Sequence, residues 1–300
     1  MPGSKKKLLI VAAGLGALAA GQGPAPADFN GEAALEATRR VVGFGPRPAG
    51  SEALAGLRRW LIEQLRPLGC QVEQDSFTAQ TPRGPAPMTN LIARFPGASG
   101  RVTVVSGHYE TYHRPGLRFL GANDGGSSAG FLLELARAVS RRPRRDAVWI
   151  VWFDGEESLV QWTGEDHTYG SRHLAAKWKA DGAIRSLRAL INVDMIGDAD
   201  LGLVYELHST PWLRELVWSA AARLGHAAEF SRTPATPIED DHFPFLQAGA
   251  PALDLIDFDY GPGNSYWHTE RDTIDKLSGR SFRIVGRVVL EALRLLEERR

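Results

Sequence analysis

The sequence predicts an α/β fold: a three-layer sandwich in which a twisted, mostly parallel central sheet has helices on both faces. Three observations carry this prediction. Strand-like and helix-like patterns alternate along most of the chain. Residues 147–153 (AVWIVWF) are an uninterrupted apolar run, which is typical of a strand covered on both faces. With 43% apolar and 23% charged residues, the composition is that of a globular protein and excludes a chain that is disordered throughout.

The individual elements are predicted from residue spacing and from turn residues. Helices are expected over residues 31–41 and 52–66, and the second carries apolar residues three and four positions apart. The Pro- and Gly-containing segment 80–85 separates the first two strands. In order, the remaining elements are strands at 71–79, 90–95 and 102–106, a helix at 126–140, the strand at 147–153, a helix at 169–180, a strand at 190–196, a helix at 211–224, a strand at 252–256 and a closing helix at 282–298.

The N-terminal segment has the three-part pattern of a secretory signal peptide. Three lysines at positions 5–7 precede an apolar run that ends at about residue 20, with small residues at its end. We therefore predict a signal peptide over 1–20, a linker over 21–30, a single α/β domain over 31–300, and a secreted or periplasmic location. The alternative is an uncleaved membrane anchor, but the run is short for a span of about 20 residues. Unless the segment stays uncleaved, no stable membrane association is expected.

Charge and cysteine content exclude further classes of protein. The chain has 35 Lys and Arg against 35 Asp and Glu, so its formal net charge is zero. Because no basic excess is available to neutralise phosphates, no nucleic-acid partner is predicted. Cys70 is the single cysteine. No internal disulfide can therefore form, and Cys70 is interpreted as a small packing residue rather than a nucleophile.

Carboxylates and imidazoles follow nearly every predicted strand. Because the carboxyl ends of parallel strands meet at one edge of a sheet, these side chains are expected to cluster there. Oxygen and nitrogen ligands without a thiolate suit zinc. Taken alone, each residue has a plainer interpretation, such as a helix N-cap for the aspartate or a solvated turn for the paired glutamates. Their joint occurrence at successive strand ends is the specific signal, and it comprises His108, Asp124, Glu156, Glu157, Asp194, Asp240 and His268.

These strings resemble the zinc aminopeptidase superfamily, and within it most closely the animal-type glutaminyl cyclases. The similarity runs from about residue 35 to the C-terminus. A Trp-bearing insertion between the paired glutamates and Tyr169 is characteristic of the cyclases. The matching strings are Gly107-His-Tyr, Gly121-Ala-Asn-Asp, Phe153-Asp-Gly-Glu-Glu, Trp162, Asp166, Tyr169-Gly-Ser-Arg, Asp194-Met-Ile-Gly, Asp240-Asp-His and Trp267-His-Thr.

The resemblance implies roles for individual residues. It implies one Zn²⁺ held by Asp124, Glu157 and His268, with Glu156 as the catalytic acid/base. It also implies that Asp194 and Asp240 form a hydrogen-bonded carboxylate pair near that glutamate. Trp162 and Trp267 would line the pocket. The chain departs from the cyclase pattern at Glu239, a substrate-pocket position where the cyclases carry Gln, and in the loop 260–266, where a pocket aromatic is expected and either Tyr260 or Tyr266 could serve.

The implied activity is cyclisation of the N-terminal glutamine of a peptide or protein to pyroglutamate, with release of ammonia. The alternative is an aminopeptidase with two zinc ions, in which His108, Asp124 and Asp194 hold the second metal. The Trp162 insertion disfavours this alternative, as does Glu110, where aminopeptidases usually have Asp after His-x. A non-catalytic binding domain is a third possibility, but such a domain is expected to lose the metal ligands. A serine hydrolase is not favoured, because Ser127 and Ser128 stand at a predicted helix start, where hydroxyls serve as ordinary caps.

Overall fold

The computed structural model describes residues 29–299. Its strands are β1 (Gln71–Thr81), β2 (Gly84–Phe95), β3 (Val102–His108), β4 (Ala147–Phe153), β5 (Leu187–Asp194), β6 (Tyr205–Glu206), β7 (Ala235–Thr236) and β8 (Ala252–Ile256). The central sheet has six strands in the order β1-β2-β4-β3-β5-β8. β4, β3, β5 and β8 run parallel, whereas β2 pairs antiparallel with both β1 and β4. A separate short pair, β6 with β7, lies beside it.

Helices cover both faces of this sheet. They are α1 (Gly31–Val42), α2 (Glu52–Leu65), α3 (Gly126–Ser140), α4 (Tyr169–Ala180), α5 (Pro211–Arg223), α6 (Phe243–Ala248) and α7 (Gly279–Glu298). α1, α2, α3, α5 and α7 pack in one apolar layer, and α4 and α6 pack in the other. The predicted three-layer sandwich is confirmed.

Strand β4 shows why the sheet is buried on both sides. Successive side chains of a strand point to opposite faces. Accordingly, Ile150 and Trp152 belong to the apolar layer of α1, α3 and α7, whereas Val151 and Phe153 belong to the layer of α4. Both layers need apolar residues, so the run cannot alternate with polar ones. The prediction of a central strand at 147–153 is confirmed.

Element boundaries follow local capping chemistry. The side chain of Ser51 accepts a hydrogen bond from the Leu54 N–H and begins α2. Ser278 caps α7, which therefore starts three residues before the predicted position 282. The predicted strand 190–196 lies instead at 187–194, because Met195 has a φ of +51° and ends it. The elements β6, β7 and α6 were not predicted, since two to six residues show no periodicity.

The N-terminal predictions lie largely outside the described residues. The signal peptide over 1–20 and most of the linker over 21–30 precede residue 29, and the single-domain assignment stays a prediction. None of the helices in the described part is both long enough and apolar enough to cross a membrane.

Candidate active site

A cavity of about 580 Å³ opens at the edge where the parallel strands end. Ligand pockets of proteins span about 300–1,000 Å³. Apart from the two candidate tyrosines of the 260–266 loop, the only sequence-predicted site residue outside the lining is His108, which lies buried behind it. The predicted residues in the lining are Asp124, Glu156, Glu157, Trp162, Asp194, Glu239, Asp240, Trp267 and His268.

The sheet delivers these side chains to one edge. β3 ends at His108 and β5 ends at Asp194. Asp124 comes from the turn that opens α3, and the next residue there must be glycine. Gly125 has a φ of +73°, and a Cβ on it would lie 2.2 Å from the carbonyl oxygen of Glu110. This close approach fixes the Asp124 turn against the end of β3.

Asp124, Glu157 and His268 form a cluster that can hold a metal ion. The Nε2 atom of His268 lies 3.0 Å from Glu157 Oε1 and 3.2 Å from Asp124 Oδ2. Burial and the neighbouring Asp124 raise the pKa of Glu157 to about 7, although His268 opposes this shift. Asp124 Oδ2 is buried without a hydrogen-bond partner of good geometry. Two carboxylates and one imidazole make the ligand set of an open zinc site, so these residues fit the ion.

A second cluster shares Asp124. The Nε2 atom of His108 lies 3.1 Å from Asp194 Oδ1 and 3.2 Å from Asp124 Oδ1, and all three residues are buried. Burial and the carboxylates of Asp240 and Asp124 raise the pKa of Asp194 to about 6, against the effect of His108. Burial lowers the pKa of His108, but Asp194 and Glu110 outweigh it and hold that pKa well above its usual value. The ligands that a two-metal site requires are therefore also close together.

Glu156 is buried beside both clusters. Burial raises its pKa well above the ordinary value, and the carboxylates of Asp240 and Glu157 add to the shift, whereas His108 opposes it. Burial is the largest cause of this shift, ahead of the neighbouring carboxylates. Asp194 makes its hydrogen-bonding contact with His108. The hydrogen-bonded pairing of Asp194 with Asp240 stays a prediction.

Aromatic and aliphatic side chains form the outer wall. Trp162 is 39% exposed and Phe258 is 36% exposed. Trp162 stacks on His167, with ring centres 4.3 Å apart and planes 9° apart. The carboxylate of Asp166 accepts hydrogen bonds from three backbone N–H groups at 159–161 and from the Tyr169 hydroxyl. This carboxylate therefore shapes the insertion that carries Trp162.

Comparison with known proteins assigns the family. The model of peptidase family M28 matches residues 90–293. The glutaminyl-peptide cyclotransferase of Bothrops jararaca is 32% identical over an alignment of 296 residues. That alignment covers 83% of this chain and 78% of the relative. That of Drosophila melanogaster is 30% identical over 252 residues, covering 76% and 70%. The chain belongs to peptidase family M28 and, within it, to the glutaminyl-peptide cyclotransferases.

Solved structures agree with this assignment to the glutaminyl-peptide cyclotransferases. A glutaminyl cyclase from an Acidobacteriales bacterium superposes with a TM-score of 0.89 at 40% identity, over 95% of this chain and 100% of that one. A Zn-dependent exopeptidase from Parabacteroides distasonis superposes with a TM-score of 0.81 at 26% identity, over 92% and 100%. The resemblance inferred from the sequence motifs is confirmed.

Sequence reasoning missed the part that Glu110 plays in this cyclotransferase fold. The Oε1 atom of Glu110 accepts hydrogen bonds from the backbone N–H groups of Glu156, at 2.6 Å, and Glu157, at 3.1 Å. Glu110 is buried, which alone raises its pKa, but His108 and the backbone N–H groups of Glu157 and of Glu110 itself lower it overall. One carboxylate therefore fixes the peptide units of both paired glutamates. The sequence signal for this role was Glu110 in the string Gly107-His-Tyr-Glu, which departs from the aminopeptidase pattern.

The aromatic expected in the 260–266 loop does not come from that loop. Tyr260 is fully buried, and its hydroxyl donates to Asp272, whose carboxylate also accepts from the Asp124 N–H. Tyr266 packs edge-on against Tyr260 and is not part of the pocket lining. Phe258, just after β8, is the aromatic that lines the cavity next to Trp267.

Proposed function

We propose that this protein converts the N-terminal glutamine of peptides or proteins to pyroglutamate and releases ammonia. The observation that carries the proposal is a buried glutamate of raised pKa, Glu156, beside a three-ligand metal cluster in an aromatic pocket. The 40% identical glutaminyl cyclase supports it. The substrate partner is therefore a chain whose first residue is glutamine.

The pocket walls favour cyclisation over hydrolysis. A glutamine side chain that enters the cavity meets Trp162, Trp267 and Phe258, which exclude water from the reacting amide. Holding the α-amine over the γ-amide carbon makes the reaction effectively unimolecular. Glu239 lies exposed at the mouth, where its carboxylate can accept a hydrogen bond from the substrate's N–H groups.

The chain's own groups move the proton. Asp124, Glu157 and His268 would hold zinc, which supplies Lewis-acid polarisation of the γ-carbonyl oxygen. Glu156 accepts a proton from the α-amine as the new C–N bond forms. It then returns that proton to the departing nitrogen, which leaves as ammonia when the old C–N bond breaks. A carboxyl pKa raised towards the working pH suits both halves of this transfer, and Asp240 helps to keep it raised.

We propose one zinc ion per chain. The cluster of His108, Asp124 and Asp194 favours a second candidate function, a two-zinc aminopeptidase that removes N-terminal residues. Elemental analysis of the purified, zinc-saturated protein distinguishes them. One zinc per chain agrees with the proposal, and two zinc ions per chain contradict it.

Substitution of Glu156 tests the catalytic role. In Glu156→Gln the carboxylate is lost with little change of shape, so ammonia release from a Gln-initiated peptide should fall about 10²–10⁴-fold while zinc content is retained. The matched control is Glu165→Gln, because Glu165 lies on the Trp162 insertion with its side chain 91% exposed. It should leave the rate unchanged. Wild-type turnover by Glu156→Gln would overturn the proposed role of Glu156. No turnover by the wild type, with peptide binding that survives Glu156→Gln, would instead support a non-catalytic binding domain.

A secreted or periplasmic location is also proposed. It rests on the signal-peptide pattern over residues 1–20. Sequencing the N-terminus of the mature protein tests it. A start beyond residue 20 agrees, and retention of the apolar segment in a membrane fraction contradicts it.

A further inference from the structure

The imidazole of His268 lies between two aromatic rings. The ring centre of Tyr112 is 4.2 Å from that of His268, with the planes 4° apart. The ring centre of Trp267 is also 4.2 Å away, with the planes 23° apart. Two near-parallel rings at this separation cannot share one face of the imidazole, so they cover opposite faces. Phe119 meets the edge, with its plane at 75° to the imidazole.

This stack replaces the usual means of orienting a metal-binding histidine. Such a histidine normally donates its second ring N–H to a carboxylate or carbonyl, which fixes the ring plane. Among the described residues, the side-chain contacts of His268 with hydrogen-bond acceptors all involve Nε2, which faces Glu157 and Asp124. With no such acceptor at Nδ1, the flanking rings are what restricts rotation of the imidazole.

The loop that carries Tyr112 is fixed to the core. The guanidinium of Arg47 is fully buried and donates to the carbonyl oxygens of Tyr109, Leu120 and Gly121, at 3.0, 2.7 and 2.9 Å. These bonds hold both ends of the segment between residues 109 and 121. Tyr112 therefore presents its ring to His268 from a segment whose two ends are fixed to the core.

We propose that Tyr112 is a positioning residue for the metal ligand His268. Stacking against Tyr112 and Trp267 holds the imidazole plane so that Nε2 faces the two carboxylates. This inference rests on the proposed metal site of Asp124, Glu157 and His268. Its signature is a change in metal binding that occurs without substrate.

The test compares zinc affinity among variants, using Zn²⁺ alone in competition with a chromophoric chelator. Tyr112→Leu removes the ring, and the zinc dissociation constant should rise about 10-fold, at the lower end of the effect of losing an outer-shell partner. Tyr112→Phe keeps the ring and should restore wild-type affinity. The matched control is Phe77→Leu, because Phe77 stacks on His173 with ring centres 4.1 Å apart and planes 4° apart, and His173 belongs to neither metal cluster. It should leave the zinc affinity unchanged.

Cobalt substitution and a second variant guard against a folding artefact. The visible bands of bound Co²⁺ should shift in Tyr112→Leu and not in Tyr112→Phe, since only the first frees the imidazole. Trp267→Leu removes the opposite stack and should weaken zinc binding in the same direction. The midpoints of thermal unfolding of the metal-free Tyr112→Leu variant and the metal-free wild type should agree, which shows that the variant is folded.

The possible failures are distinguishable. If wild type binds no zinc, the proposed metal site itself is wrong. If wild type binds zinc and Tyr112→Leu binds it equally well, the site stands and the positioning role of Tyr112 is refuted. Equal weakening by Phe77→Leu would also refute it, because the effect would then come from loss of aromatic packing in general and not from the ring on His268.

Discussion

Replacing Glu110 should damage stability and the active site together. Its carboxylate accepts the buried N–H groups of Glu156 and Glu157. Glu110→Ala leaves both donors without a partner, and each buried unsatisfied group costs about 1–3 kcal/mol. The free energy of unfolding should therefore fall by about 2–6 kcal/mol. Glu110→Gln keeps an acceptor oxygen but loses the charge, and charge-assisted bonds are about twice as strong as neutral ones. Glu110→Gln should therefore lower the free energy of unfolding by about 1–3 kcal/mol.

The assay is urea unfolding of the metal-free protein, followed by single-turnover ammonia release from the zinc-loaded form. Activity should fall in the order wild type, Glu110→Gln, Glu110→Ala, because Glu156, the proposed acid/base, and Glu157, a proposed metal ligand, lose the common anchor of their peptide units. Glu165→Ala serves as the exposed control and should change neither quantity. Wild-type stability in Glu110→Ala would refute the reasoning, since it would mean that the two N–H groups find other acceptors at no cost.

The other predictions concern the pocket wall and the response to acid. Asp166→Ala frees three N–H groups of the insertion, so limited proteolysis should cut near residues 159–166, and an uncut loop would contradict its role. His167→Ala removes the ring that stacks on Trp162 and should raise KM about two- to tenfold, which corresponds to the interaction energy of one aromatic pair, while kcat stays unchanged. His167→Phe keeps a ring there and should keep KM near the wild-type value. A fall in kcat of the same size would contradict a role confined to the pocket wall. Burial opposes ionisation of Glu206, but His242 and backbone N–H groups lower its pKa to about 2. Its stabilisation, about 3 kcal/mol, is present above the unfolded pKa and is lost as pH falls through the folded one. In Glu206→Gln the free energy of unfolding should fall less steeply as the pH is lowered. An unchanged pH dependence would contradict the lowered pKa of Glu206.

Much of the sheet and its edge was predictable because the underlying signals are local. The run at 147–153 is apolar because two layers cover β4, and its boundaries agree with the structure. Helices with periodic apolar faces, such as 126–140 and 169–180, also begin and end where predicted. The carboxylates and imidazoles meet because parallel strands end at one edge. No knowledge of side-chain packing was needed for that step.

Other features of the site depend on tertiary contacts that the sequence does not encode locally. Glu110 reaches N–H groups 46 and 47 positions further along the chain. The stack of Tyr112 on His268 joins two loops distant in sequence. The pocket aromatic is Phe258 rather than Tyr260, because the Tyr260 hydroxyl is needed in the core by Asp272. Composition and spacing carry no information about which side of a loop faces the cavity.

The identity of the product tests the proposed activity most directly. Purified, zinc-loaded protein is incubated with a Gln-initiated peptide, and the product is measured by mass spectrometry, with Glu156→Gln run in parallel. We expect loss of one ammonia with every residue retained, and almost no product from the variant. Loss of the N-terminal residue would contradict the cyclase mechanism and indicate a two-zinc aminopeptidase.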